Sequence, residues 1–116
     1  MKKLVILINN EVAFEFNTDL TLEDEQLVFL DKMDNDMQLG IKISGELLVN
    51  PDKHQRATFI AMNLIKALQQ DNGAAISSSG AYLANRYPEL MEVHANDDGN
   101  TVKIELIEKQ QHQENI

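Results

Sequence analysis

The run Ser77-Ser78-Ser79-Gly80 holds the side chains of this sequence most suited to nucleophilic chemistry. A serine on a nucleophile elbow needs the pattern G-x-S-x-G, and Ile76 stands where the first glycine would precede Ser78. The S-x-x-K pattern also fails, because Gly80 lies three residues after Ser77. No spacing brings a histidine to these hydroxyls as a general base. The serines therefore read as helix-capping or close-packing residues.

The three histidines, His54, His94 and His112, are scattered, and none has a second ligand at a zinc-like spacing. They read as surface residues. The absence of cysteine removes disulfides, thiolate ligands and thiol nucleophiles. The segment from His94 to Glu105 resembles a calcium loop in placing Gly99 sixth and Glu105 twelfth. Its first position should be Asp and is His94, and a β-turn accounts for the same Asp97-Asp98-Gly99 residues.

Asp31, Asp34 and Asp36 cluster late in a helical segment, with Asp31 and Asp34 on one face at i,i+3. Carboxylates near a helix C-terminus oppose the dipole, so the cluster could meet Mg²⁺ or a basic partner, although a solvated face accounts for it. Gly40 and Gly45 lack the strand–glycine–helix context of a phosphate loop. Arg56 and Lys66 read as the polar face of a helix, with no special role. No catalytic, cofactor-binding or metal-binding residue is assigned, no cofactor is implied, and the reading leans away from an enzyme.

The elements that would position these residues follow from periodicity. Val5, Leu7, Val12, Phe14 and Phe16 recur at period two, and Asn9-Asn10 between them suits a two-residue turn. Pairing Ile8 with Glu11 sets Leu7 opposite Val12 and Val5 opposite Phe14, a face expected to meet the core. Leu4, Ile6 and Ile8 make the other side of the opening strand apolar as well, so this strand is expected near the middle of a sheet and its partner at an edge.

Thr21 and Asp24 resemble a capping box ahead of a helix whose stripe is Leu22, Phe29, Leu30, Met33 and Met37, with Gly40 as its stop. Residues 41–49 read equally as a short strand or a packed loop. Asn50-Pro51 predicts the start of a second helix running to about Gln70, with Ala57, Ile60, Ala61, Leu64, Ile65 and Leu68 inward. A third helix is expected over 74–87, where Ser79 and Gly80 permit close approach and Pro88 ends it. Asp98-Gly99 marks a closing hairpin that pairs Ala95 with Val102, Val93 with Ile104 and Met91 with Leu106.

The chain has 116 residues, 10 basic and 19 acidic, for a net charge of −9. Such a surface repels phosphate backbones and anionic membranes, so neither a nucleic acid nor a membrane is expected as partner. No apolar run is long enough to span a bilayer. The five-residue run Leu4–Ile8 is shorter than a signal-peptide core.

The fold class expected is α+β: two hairpins, N- and C-terminal, form a mostly antiparallel sheet of about four strands with three helices on one face. Residues 1–108 are expected to form one domain and 109–116 a flexible tail. One-sided cover would leave Leu4, Ile6 and Ile8, joined by Leu90 and Ile107, as an apolar row on the open face. Monomers seldom expose such a row. The functional expectation is therefore a small acidic cytoplasmic interaction or regulatory module, homodimeric or bound to another protein. Its interface would use Leu4, Ile6 and Ile8, or alternatively Phe59 and Met62. The competing expectation is a small-molecule binder or enzyme with a pocket between helices and sheet, using Ser77–Ser79 or Asp31 and Asp34.

Overall fold

The computed structural model describes residues 3–19 and 21–109. Strands β1 (Lys3–Ile8) and β2 (Glu11–Asn17) are followed by helix α1 (Asp24–Gln38) and a small hairpin of β3 (Ile41–Ile43) and β4 (Glu46–Leu48). Helices α2 (Lys53–Gln69) and α3 (Gly73–Arg86) come next, and β5 (Leu90–Asp97) and β6 (Val102–Glu108) close the fold. The main sheet has the order β2-β1-β5-β6, and β3-β4 form a separate two-stranded sheet. The architecture is α+β, and within the segment 41–49 residues 41–43 and 46–48 are strands joined by a turn. Of the tail expected over 109–116, residues 110–116, His112 among them, lie outside the described residues.

β1 is central and β2 an edge, as its two apolar sides predict. Asn9 and Asn10 form the turn with φ of 53° and 70°, which asparagine tolerates. Asn9 also ties the two halves of the chain together. Its N–H donates to Ala95 O at 2.8 Å, and its side-chain oxygen accepts the Asp97 N–H at 2.8 Å. These bonds extend the parallel pairing of β1 with β5, so the sheet is mixed.

The face of β1 that meets the core is opposite to the one expected. Leu7 pairs with Val12 as predicted, but a register shift follows, and Ile6 then pairs with Phe14 and Leu4 with Phe16. A bulge of this kind breaks the strict alternation on which the sequence argument rested. Leu4 and Ile6 are 1% and 0% exposed, whereas Val12 is 58% exposed and Val5 and Leu7 are part-buried. Ile8 packs against the same core, and Leu90 belongs to it. The row Leu4, Ile6, Ile8 is thus covered by the chain's own helices. What the open face carries instead is Val5, Leu7 and Ile107, interspersed with Glu15, Glu92 and His94.

The closing hairpin is offset by two residues from the expected pairing: Ala95 pairs with Ile104, Val93 with Leu106 and Asp97 with Val102. The Asp98 side chain accepts the N–H groups of Asn100 and Thr101 at 2.9 and 2.8 Å, which sets a four-residue loop at 98–101. An even offset keeps Val93, Ala95, Ile104 and Leu106 on the inward face, but an irregularity between Leu90 and Glu92 buries Leu90 and leaves Met91, expected opposite Leu106, exposed. Val102, expected inside, ends up exposed near the loop.

Glu23 rather than Thr21 is the N-cap of α1, and its N–H donates to the Gln26 side chain at 2.8 Å, so Gln26 takes the place expected for Asp24. α2 starts at Asp52 rather than Asn50, because Asp52 caps the Gln55 N–H at 2.8 Å while Asn50 takes φ of 53°. The inward stripe is Leu30 and Met37 on α1, Ala57, Ile60, Ala61, Leu64 and Ile65 on α2, and Ser79, Gly80, Tyr82 and Leu83 on α3. Phe29, expected within the α1 stripe, is 48% exposed.

Candidate functional site

The charged residues of the three helices converge at one end of the core. Asp34 lies four residues after Leu30 and three before Met37, so it shares their inward side of α1. Arg56 precedes Ile60 by four residues on α2, and Arg86 follows Tyr82 by four on α3. α2 begins where α3 ends, so the first turn of one and the last turn of the other bring Lys53, Arg56 and Arg86 to the carboxylate from α1. They line a cavity of about 130 Å³ together with Tyr82 and Tyr87.

Asp34 is the hub. Its Oδ2 is 3.3 Å from Arg86 Nε, its Oδ1 accepts the hydroxyl of Tyr82, and Arg56 Nε stands 3.8 Å from that same oxygen. Arg86 Nη2 also pairs with Asp31 at 2.5 Å, so the two aspartates the sequence placed on one face are joined through a single arginine. Burial, and then the bond to Asp34, push the Tyr82 phenol well above its ordinary 10.0, since ionisation would set two anions in contact. Arg86 in the last turn of α3 suits the dipole.

Lys53 opposes the dipole of α2 and is held by two neighbours. Its Nζ lies 2.5 Å from Glu89 Oε2 and 4.8 Å from the centre of the Tyr87 ring. The hydrogen bond from Lys53 keeps the Glu89 carboxyl below its usual range. Tyr87 donates its hydroxyl to Glu108 of β6, and burial followed by that bond raises its phenol too. The cluster thus joins α1, α2 and α3 to the last strand.

The other residues singled out in the sequence are dispersed. Ser77 and Ser78 line a cleft of about 290 Å³ between α1 and α3 with Phe29 and Leu30, and Ser78 donates to Ala75 O at 3.3 Å. Ser79 is buried. His54 is exposed on the first turn of α2. His94 lies on the open sheet face, with Nε2 2.6 Å from Glu92 Oε1. Asp97 accepts the Gly99 N–H at 2.9 Å and Asp98 the two N–H groups beyond it, so both carboxylates serve the turn. Among the described residues no group of three or more acidic, histidine or cysteine side chains is placed to hold a metal ion. No helix among them is long and apolar enough to cross a membrane.

Sequence reasoning passed over Arg56 and Arg86. The available signal was their i,i+4 spacing from buried Ile60 and Tyr82. Of the two alternative interface residues, Phe59 is part-buried against the core and Met62 is part-buried.

A second feature is an apolar surface at the far end of α1. Val28 and Leu39 are eleven positions apart, three helical turns, and so lie on one line along the helix. They are 66% and 82% exposed, and Leu47 and Val49 of the following hairpin are also exposed. The hairpin folds back onto the helix end. The Asn50 N–H donates to Gln38 O at 3.2 Å, and Leu47 Cδ1 sits 3.1 Å from where a Gly40 side chain would begin. Leu39, Leu47 and Val49 therefore stand on adjoining backbone at this end of the helix.

Comparison of this chain with family models, with curated proteins and with solved structures returns no match.

Proposed function

We propose that this chain is a small acidic protein-interaction module that pairs with a second copy of itself through the exposed aliphatic residues Leu39, Leu47 and Val49. The observation that carries this reading is that three exposed aliphatic residues stand on adjoining backbone of the β3-β4 hairpin and the helix end beside it. Scattered exposed leucines need no explanation, whereas grouped ones mark contact surfaces. A two-fold axis lets one such patch meet its own copy. Burying a leucine side chain contributes roughly 1.5–3 kcal/mol, so a few such residues can support a dimer once the entropy of association is met. Phe59 and Met62, part-buried on α2, are the alternative contact site.

Charge gives the reading a distinctive consequence. Two copies at −9 each repel, and salt screens that repulsion. Self-association should therefore strengthen as salt rises from about 0.1 M to about 1 M, which shortens the screening length from roughly 10 Å to 3 Å. A basic partner would show the reverse. Sedimentation equilibrium of the wild type and of Leu47→Glu tests both points. The reading expects a concentration-dependent dimer, tighter in high salt and lost in the variant. A wild type that stays monomeric at every concentration and salt level removes it.

A further inference from the structure

We propose that the cavity between the first turn of α2 and the last turn of α3 binds a small oxyanion, a phosphate or carboxylate group, with Arg56 as its principal donor.

The argument starts from how the cations are partnered. Arg86 has two carboxylates, Asp34 and Asp31, and also donates to Asn85 Oδ1 at 3.2 Å. Lys53 has Glu89. The Arg56 side chain makes no hydrogen bond among the described residues, and its Nε, like that of Arg86, is buried without an acceptor. The nearest carboxylate oxygen, Asp34 Oδ1, is 3.8 Å away and already accepts from Tyr82, while Oδ2 faces Arg86. Each Asp34 oxygen thus already faces another donor, and neither is hydrogen-bonded to Arg56. A guanidinium carries five N–H donors in one plane, matched to the paired oxygens of a carboxylate or phosphate. Buried donors of this kind are normally satisfied, and an incoming oxyanion would satisfy them.

The surroundings agree. Lys53, Arg56 and Arg86 line the cavity with Asp34, and Asp31 and Glu89 outside the lining pair with Arg86 and Lys53, which leaves Arg56 as the cation without a carboxylate of its own. Lys53, with its side chain 53% exposed at the rim, can turn from Glu89 to a bound anion without leaving water altogether. A volume of about 130 Å³ leaves room for a group the size of a phosphate or carboxylate.

The test is titration of the folded chain with inorganic phosphate and, separately, with acetate, at an ionic strength held constant with chloride and read by amide chemical shifts. Saturating shifts confined to residues around 53–57 and 82–87 are expected, and the anion that saturates at the lower concentration identifies the headgroup. Arg56→Gln should weaken binding by at least about tenfold and Lys53→Gln by a few-fold, since each removes a charged donor. Lys66→Gln, exposed outside the cavity, should leave binding unchanged. The proposal is overturned if neither anion saturates, or if Arg56→Gln binds as tightly as the wild type. Should Arg56→Gln fail to fold, an affinity unchanged in Lys53→Gln overturns it equally.

Discussion

The backbone of Gly80 lies against the ring of Phe16. A methyl group at Gly80 would come within 2.7 Å of both Cδ1 and Cε1 and 3.1 Å of Cγ, so the whole ring would have to move. This contact lets α3 approach the edge strand β2 at a distance that any side chain would prevent.

Gly80→Ala tests the contact because two effects oppose each other. Alanine inside a helix is favoured over glycine by roughly 0.5–1 kcal/mol, while overpacking costs about 1–3 kcal/mol. Net destabilisation of about 1 kcal/mol is expected in urea melts. In a Phe16→Leu background the penalty should shrink, since contacting sites couple in a double-mutant cycle. A stabilised Gly80→Ala would show that the ring is not where it is described.

The inward face of β1 is checked by two truncations. Ile6→Ala removes a side chain with no exposure and should cost about 2–5 kcal/mol. Leu7→Ala, on the part-buried open face, should cost roughly 1 kcal/mol because less of its surface leaves water on folding. The reverse order would mean that the two faces are exchanged.

Alkaline titration reports on the charged cluster. The chain has two tyrosines and no tryptophan, so tyrosinate absorbance is unobstructed. Both phenols are raised above their ordinary 10.0, chiefly by burial and then by the carboxylates they touch. A raised pKa in the folded state contributes stability that is intact below pH 10 and declines as pH climbs toward the folded value. Tyrosinate should therefore appear above pH 10, together with the loss of circular dichroism, as one cooperative step. Asp34→Asn should let Tyr82 ionise earlier, ahead of unfolding. Two phenols titrating near pH 10 in an otherwise folded wild type would contradict the burial described.

The charged cluster shows why the candidate site was harder to read than the fold. Asp34, Arg56 and Arg86 sit on three helices; Asp34 and Arg56 fall among exposed charged neighbours, and Arg86 stands in a last turn where the dipole alone accounts for a cation. Asp31 and Asp36 beside Asp34 are exposed, so nothing local marks Asp34 as the inward member. Its spacing from Leu30 and Met37 is the one trace, and that spacing tolerates a solvated carboxylate equally well.

The residues settled what depends on near neighbours in the chain. Asn9-Asn10 specified a tight turn because both tolerate left-handed backbone, Asp98-Gly99 placed a second, and the broad stripe of α2 specified a deep helix. Tertiary structure alone decided which side of the opening strand lies inside. Both sides are apolar, so burial energy by itself hardly distinguishes them. The choice fell to a bulge opposite Ile6 and Leu7 and to parallel pairing with β5, some ninety residues away. The sequence states how oily a surface is. What covers that surface is decided by the rest of the chain.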